Sequence, residues 1–316
     1  MAGILVFAEV IDGAITPTSL ELLGAARALS SEGGGDVTAF VAGEEYAQDL
    51  IAAGADAVVA GTASYTTAAS YLPAIDAALE QSGASIVIVP LSSLGRDLGP
   101  ALAFHRRAGV AMDCSILKIE GGRLKATRSA YGGNARAEHT FAGDLQIITV
   151  KPKQFDALEP DSSRSGSVTT TDAIGETVVK VTGTEKAVSE GVKLEDAEAV
   201  ISGGRGLGDQ TGFNMLEELA GLLGGAVGAS RAACDLGWYP PSQQIGLTGK
   251  TVSPGLYIAV AISGASQHMA GMSSSKNIVA INKDPDANMV QVARFAVIED
   301  YKKIVPLLIE EIKNLP

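Results

Sequence analysis

Basic residues are in the minority and nowhere gathered: 24 Lys and Arg stand against 36 Asp and Glu, a formal charge of −12. A nucleic-acid binder carries a basic stripe or patch, so that class is argued against. Cysteine is scarcer still. Cys114 and Cys234 are the only two, far apart and in no C-x-x-C pair, which argues against a disulfide framework or an iron–sulfur or zinc site. They read as two buried thiols in a reducing cytoplasm. Three histidines are present, and no Ser/His/Asp set, paired carboxylates or metal ligands assemble at recognisable spacing, so neither catalytic nor metal-binding residues are expected. Aromatics make up 5%. No apolar run approaches the roughly 18 residues that cross a bilayer, so the chain is not expected to be integral to a membrane. The opening M-A-G-I-L-V-F-A-E-V lacks the basic region and cleavage site of a secretory signal and reads as a first buried strand.

What the chain has in quantity is glycine, 37 residues, and apolar side chains, 46%. Together they suit a nucleotide-binding α/β protein with many tight turns, and 316 residues suggest two domains. Strands are expected at 3–10, 37–42, 57–60 and 85–90, alternating with helices from Thr18, from Glu44 to Ala53 and from Thr67 to Gln81. That rhythm implies a parallel sheet with right-handed crossovers. The loop 91–100 after the fourth strand holds Ser92, Ser93, Gly95 and Arg96 where open sheets place ligands; the plainer reading is a strand-to-helix turn. Residues 110–141 change character, with alternation about Gly121-Gly122 that predicts a β-hairpin insertion. Arg128, Arg136, Glu138 and His139 are polar candidates near it, and His139 is read as a surface or structural residue. Another strand closes at 145–150. Residues 155–171 read as an exposed connection and 178–181 as one more strand. The boundary is placed near residue 186, giving domains 1–186 and 187–316.

The stretch V-I-S-G-G-R-G-L-G-D-Q-T-G-F from Val200 to Phe213 organises the second half. An apolar strand runs into five glycines, and an amphipathic segment follows. Strand, glycine turn, helix is a phosphate-binding arrangement, because the first N–H groups of a helix are unpaired donors. The spacing departs from G-x-G-x-x-G at Asp209, and no acidic residue closes a second strand about 20 residues on. G-L-T-G-K-T (246–251) misses the P-loop pattern, since Gln244 stands where its first glycine belongs. Further strands at 226–231, 256–268, 277–285 and 295–298, then a terminal helix from Asp300, predict a second α/β unit. Its strand ends deliver Ser202 to Gly208, Ser230-Arg231, Ser263 to His268 and Asn282 to one sheet edge. His268 follows an apolar strand directly and is the histidine placed to stabilise negative charge on a bound ring, with Arg231 and Arg205 as cations. This reads as a site that binds and tunes a cofactor.

G-G-R-G-L-G, G-A-S-R-A-A, Q-I-G-L-T-G-K, Y-I-A-V-A-I-S-G-A-S-Q-H-M-A-G-M and A-I-N-K-D-P, in this order, closely resemble the α subunit of electron transfer flavoprotein. The resemblance covers the chain and is most specific over 200–285. It implies a first α/β domain that packs with a β subunit and a Rossmann-like, doubly wound FAD-binding domain after it. By motif it implies Arg205 and Gly206 in the glycine turn, Ser230 at the FAD phosphates, Arg231 near the isoalloxazine, Thr248 near flavin N5 and His268 near flavin O2. Gln244, Gly249, Ser263, Gln267, Asn282 and Asp300 would hold the ribityl, pyrophosphate and adenosine parts, with Ile245, Lys250, Gly264 and Ala265 in the same motifs. Donors of the acyl-CoA dehydrogenase type, as in fatty acid β-oxidation, and a quinone oxidoreductase acceptor are implied too. Such a chain is an electron carrier without substrate turnover of its own. Some relatives bifurcate electrons from NADH, which is one alternative; a nucleotide-binding regulatory module without redox activity is another. Two positions depart from the family pattern: Ser266 precedes Gln267 where isoleucine is common, and Leu247 stands where glutamine is common.

Overall fold

The computed structural model describes residues 3–131, 135–183 and 192–315. The chain forms two compact units, one drawn mainly from residues 1–185 and the other mainly from 186–316. The boundary expected near residue 186 lies outside the described residues.

In the first unit β1 (Ile4–Ala8) is followed by a ribbon of β2 (Val10–Ile11) and β3 (Ala14–Ile15), then α1 (Pro17–Leu29), β4 (Val37–Ala42), α2 (Ala47–Ala52), β5 (Ala57–Gly61), α3 (Ala68–Ser82), β6 (Ile86–Pro90) and α4 (Ser93–Arg106). After them come β7 (Gly109–Glu120), β8 (Arg123–Ala130), β9 (Ala135–His139), β10 (Gln146–Val150) and β11 (Ser167–Thr171). The sheet runs β11-β5-β4-β1-β6-β10-β7-β8-β9. It is parallel except where β8 pairs antiparallel with β7 and β9. I-L-V-F-A of β1 is buried throughout, because Ile4, Val6 and Ala8 enter one core and Leu5 and Phe7 the other. A strand covered on both faces needs no polar alternation. Pro17 opens α1 and Thr16 Oγ1 accepts from Ser19 N at 3.3 Å, a cap that the Pro-Thr-Ser run foreshadows. Gly121 and Gly122 both take positive φ, 59° and 76°, as the two-residue turn between β7 and β8 requires.

Three expectations for this unit are corrected. The strand expected over 3–10 stops at Ala8, and Val10–Ile11 turns into the ribbon with β3. The connection expected over 155–171 ends in a strand, β11, which pairs parallel with β5 at the sheet edge. Its Ser-Val-Thr-Thr-Thr is almost wholly exposed, so no apolar period marked it; β-branched propensity was the only local signal. Residues 178–181 form no strand, and Val178, Val179 and Val181 are exposed. In the 91–100 loop Ser92 Oγ accepts from Gly95 N at 3.0 Å and so starts α4. A Cβ on Gly95 would fall 1.8 Å from Pro90 O, so that glycine serves close packing of helix on strand.

The second unit is smaller and wholly parallel. β12 (Ala199–Gly203), α5 (Gly212–Leu222), β13 (Ala226–Ala229), α6 (Arg231–Asp235), β14 (Leu256–Val260), α7 (Ser266–Met269), β15 (Asn277–Asn282), α8 (Asn288–Val292), β16 (Phe295–Ile298) and α9 (Tyr301–Lys313) follow in order. The sheet order is β13-β12-β14-β15-β16, so the chain steps one way from β12 and then crosses back to β14. Alternate residues of the central strands enter opposite cores. Ile201 and Ile258 meet Phe213, Leu216 and Leu219 of α5 and Val305 and Ile309 of α9. Val200, Tyr257 and Ala280 meet Ile245, Met269 and Met289 on the other face. The reversal between β12 and β14 leaves a crevice beyond their carboxyl ends, where doubly wound sheets hold ligands. No described helix is long and apolar enough to cross a membrane.

Candidate functional site

That crevice is a cavity of about 630 Å³, within the range of sites that hold drug-sized ligands. Five of the second unit's chain segments meet there. The turn after β12 contributes Gly204, Arg205 and Gly206; the start of α6 contributes Ser230, Arg231 and Ala232; the loop after β14 contributes Ala261, Ile262, Ser263 and Ala265; and α7 contributes Gln267 and His268. The segment Gln244–Thr248 forms another wall, with Asn282 and Asp284 at the end of β15.

The glycine turn is shaped by the strand beside it. Gly204 N donates to Val260 O at 3.0 Å and Gly206 N to Ala261 O at 3.3 Å. A Cβ on Gly204 would lie 2.2 Å from Ala261 O, and one on Gly206 2.9 Å from the same atom. Both glycines are therefore required where the β12 turn crosses the β14 loop, whatever they do for a ligand. Asp209, which breaks the spacing of the motif, has its own task. Its Oδ1 accepts from Thr211 N at 2.8 Å just ahead of α5, and Thr211 holds its carboxyl below the usual range.

The wall from Gln244 to Thr248 is held by main-chain bonds at both ends. Ile245 N donates to Ala229 O at 2.9 Å, continuing the sheet past β13, and Leu247 N donates to Gln267 O at 2.7 Å. Gln244 Nε2 donates to Thr248 Oγ1 at 3.0 Å. Leu247 itself is 70% exposed and lines the cavity, so the departure from the family pattern places an apolar group on the rim.

Of the residues that motif resemblance implicated, Arg205, Gly206, Ser230, Arg231, Gln244, Ile245, Thr248, Ser263, Ala265, Gln267, His268 and Asn282 line this cavity. Gly249, Lys250, Gly264 and Asp300 are not on its wall. Gly249 and Lys250 close the Gln244 loop, and Lys250 Nζ pairs with Glu195 at 2.8 Å. Gly264 takes φ 81° between two lining residues. Asp300 starts α9 by accepting from Lys302 N; Lys283, 2.9 Å away, holds its carboxyl below the usual range. Asn282 lines the cavity but spends its amide on the fold: Nδ2 donates to Ile262 O at 2.9 Å and Oδ1 accepts from Asp284 N at 3.1 Å. Lining residues that sequence reasoning passed over are Ala232, Asp235, Gly246, Ala261, Ile262, Asp284 and Ala287.

The polar lining suits an anionic, hydrogen-bonding ligand. Arg205 is exposed on the rim and forms no ion pair among the described residues. Arg231 has only an exposed i,i+4 pair with Asp235 at 3.4 Å, a bond worth little. One buried polar atom on the wall, Ser230 Oγ, has no hydrogen-bond partner among the described residues, while the His268 ring has the Ile245 backbone beside it. Buried polar groups are nearly always satisfied, so Ser230 Oγ is the atom there that a ligand would complete. His268 is held neutral at neutral pH. It is 6% exposed, its Nε2 lies 2.9 Å from the Tyr257 hydroxyl, and burial pushes its pKa down from 6.5 to about 4.

A pH dependence follows. The unfolded histidine takes up a proton near 6.5 and the folded one only near 4, so acidification across that window favours unfolding. About 2.5 units correspond to roughly 3 kcal/mol at most. The ligand-free chain is expected to lose stability from about pH 6.5 to about pH 4, and His268→Gln to lose less over the same span. Denaturant midpoints of both chains across the window check it; identical slopes would refute it.

Comparison with known proteins gives a consistent result. The family model described as electron transfer flavoprotein domain matches residues 4–175, and that described as electron transfer flavoprotein FAD-binding domain matches 193–273. An electron transfer flavoprotein subunit alpha of Thermoanaerobacterium thermosaccharolyticum is 42% identical, over 98% of this chain and 97% of the relative. Those of Bacillus subtilis and Megasphaera elsdenii are 39% and 40% identical, each over 99% of this chain and over 98% and 96% of the relatives.

Proposed function

The chain belongs to the electron transfer flavoprotein family as an α subunit, and from that premise we propose that it is the flavin-carrying half of a two-subunit electron carrier. Its second unit matches the family's FAD-binding domain, and FAD is its cofactor. The observation that carries the reading is the cavity at the switch point of β12 and β14, with the unpartnered buried Ser230 Oγ, the His268 ring and two exposed guanidinium groups, Arg205 and the weakly paired Arg231, on its wall.

The residues present fit the cofactor. Ser230 Oγ, at the start of α6 and beside the β12 turn, would meet a phosphate oxygen, and Arg205 would add charge from the rim. Arg231 and His268 would flank the electron-accepting ring that FAD supplies when bound. A cation and an N–H donor beside that ring favour the negative charge that reduction brings, and so raise its potential. Thr248, fixed by Gln244, and Gln267, whose carbonyl holds Leu247, would position the ring and the ribityl chain. No side chain in the cavity needs to act as an acid or base, which is the pattern of a carrier.

A β subunit is the partner, docking on the first unit. Acyl-CoA dehydrogenase-type donors and a quinone oxidoreductase acceptor complete the proposed route. The purified complex with its β subunit is expected to show a flavin spectrum that bleaches when a donor dehydrogenase and its substrate are added. A colourless complex that takes up no FAD would contradict the reading. Steady turnover of a nicotinamide cofactor by this chain alone would favour a stand-alone oxidoreductase, and tight AMP or ADP binding without flavin a regulatory module.

A further inference from the structure

The glycine turn after β12 commits its main-chain donors inside the protein. Gly204 N and Gly206 N bond to the β14 side, and Leu207 N and Gly208 N donate to Gly204 O at 3.1 Å and Arg205 O at 3.2 Å within the turn. The start of α5 is closed as well. Asp209 Oδ1 takes Thr211 N at 2.8 Å, so a carboxylate already stands where an anion would meet the helix. The backbone amides that a strand–turn–helix junction usually offers a phosphate are therefore in use here. What the turn still presents to the cavity is the exposed guanidinium of Arg205.

The position of that guanidinium depends on how the turn is held from behind. Tyr301, the first residue of α9, is 4% exposed, and its hydroxyl donates to Leu207 O at 2.7 Å. A carbonyl oxygen only accepts, so the direction of this bond is fixed. Leu207 closes the single 3-10 turn that begins at Arg205, and its side chain is buried in one core with Phe213 and Tyr301. The start of α9 is itself anchored. Asp300 caps it and pairs with Lys283 at 2.9 Å, and Glu299 N donates to Asn282 O at 3.1 Å. Arg205 thus stands between amides fixed from β14 and a carbonyl fixed from α9.

We propose that Tyr301 is a positioning residue: its hydrogen bond to Leu207 O holds the Arg205–Leu207 turn as a pedestal from which the Arg205 guanidinium meets an anionic group of the ligand, a phosphate. Only the identity of that ligand rests on the flavin reading. Tyr301 is not on the cavity wall and touches no part of the ligand; it acts through the turn. Phenylalanine at this position would keep the ring in the core and remove the tie alone.

Hydrogen exchange and FAD binding of the full chain in complex with its β subunit test this together, in a cycle of Tyr301→Phe, Arg205→Ala and the double variant. In the deflavinated complex the amides of 206–208 are expected to be protected in the wild type and to exchange at least about tenfold faster in Tyr301→Phe, with β12 unchanged. FAD affinity is expected to fall about fivefold in Tyr301→Phe, about tenfold in Arg205→Ala and about tenfold in the double variant, because both act through one contact. Independent losses, about fiftyfold in the double variant, would make Tyr301 a passive support of the fold and overturn the proposal. Unprotected amides at 206–208 in the wild type, or full affinity in either single variant, would overturn it as well. Should Tyr301→Phe fail to fold, the wild-type exchange and Arg205→Ala still decide. A complex that takes up no FAD, yet exchanges faster at the turn in Tyr301→Phe, would contradict the flavin reading and leave the tie standing; FAD bound with Tyr301 and Arg205 uncoupled would do the reverse.

Discussion

Replacing Gly204 with alanine is expected to yield a chain that purifies without flavin and melts early. The added Cβ would lie 2.2 Å from Ala261 O, 2.8 Å from its carbonyl carbon and 2.9 Å from Ile262 Cα. All three atoms are backbone, and β12 and β14 are hydrogen-bonded along their whole length from Ala199 to Gly203, so neither side can give way without opening the sheet at the switch point. Ala261 already sits at φ 54°, a left-handed conformation that a non-glycine residue adopts at a cost. A loss of about 3 kcal/mol or more is expected for the second unit, and FAD affinity should fall at least about a hundredfold with it. Gly221→Ala is the matched control. Gly221 lies in α5, with nothing within 4 Å of the added Cβ, so alanine there should be neutral or stabilising by up to about 1 kcal/mol. Thermal melts and flavin absorbance of both variants check the pair, and equal behaviour would refute the packing argument.

Truncating His268 to alanine has the next largest effect, on affinity and potential together. The change removes the imidazole from the wall and takes from the fully buried Tyr257 hydroxyl its partner at 2.9 Å. A stranded buried hydroxyl costs about 1–3 kcal/mol, and the void left by the ring adds to it. FAD binding should weaken about 10- to 100-fold, and the flavin's midpoint potential should fall because a donor that favours the reduced ring is gone. Arg231→Ala separates the two effects. Its guanidinium is exposed and its ion pair with Asp235 is a weak one, so stability should change by less than about 0.5 kcal/mol while the potential still falls. Spectroelectrochemical titration of wild type and both variants tests this; unchanged potentials in both would remove His268 and Arg231 from the assigned roles.

How far the sequence foretold this arrangement depended on whether a feature was local. The alternation of strands and helices was legible because central parallel strands such as Ile4–Ala8 and Ile86–Pro90 are uninterrupted apolar runs and their helices begin with caps and prolines. The hairpin at Gly121-Gly122 was legible for the same reason, its turn chemistry being contained in two residues. β11 was not, since a polar edge strand is defined by its neighbour β5 and not by its own pattern. Conversely, the valines at 178, 179 and 181 have strand composition and yet pair with no strand among the described residues. In the site, strand-end residues gathered at one edge as parallel topology demands. The Tyr257–His268 bond was hidden inside the apolar run Y-I-A-V-A-I, where a tyrosine reads as core. The cost of a Cβ at Gly204 was hidden too, because it comes from a crossing loop more than 50 residues away in sequence, at Ala261.

The central claim is that FAD sits at the carboxyl edge of the second unit's sheet. Hydrogen exchange of the full chain in complex with its β subunit, before and after FAD is restored to the deflavinated protein, addresses it most directly. Slowed exchange is expected in the turn at 203–206, the start of α6 at 230–232, the wall at 244–249 and the loop at 261–268, with the first unit's strand ends unchanged. Stoichiometric FAD binding that leaves those four segments unprotected, or protects the first unit in their place, would contradict it.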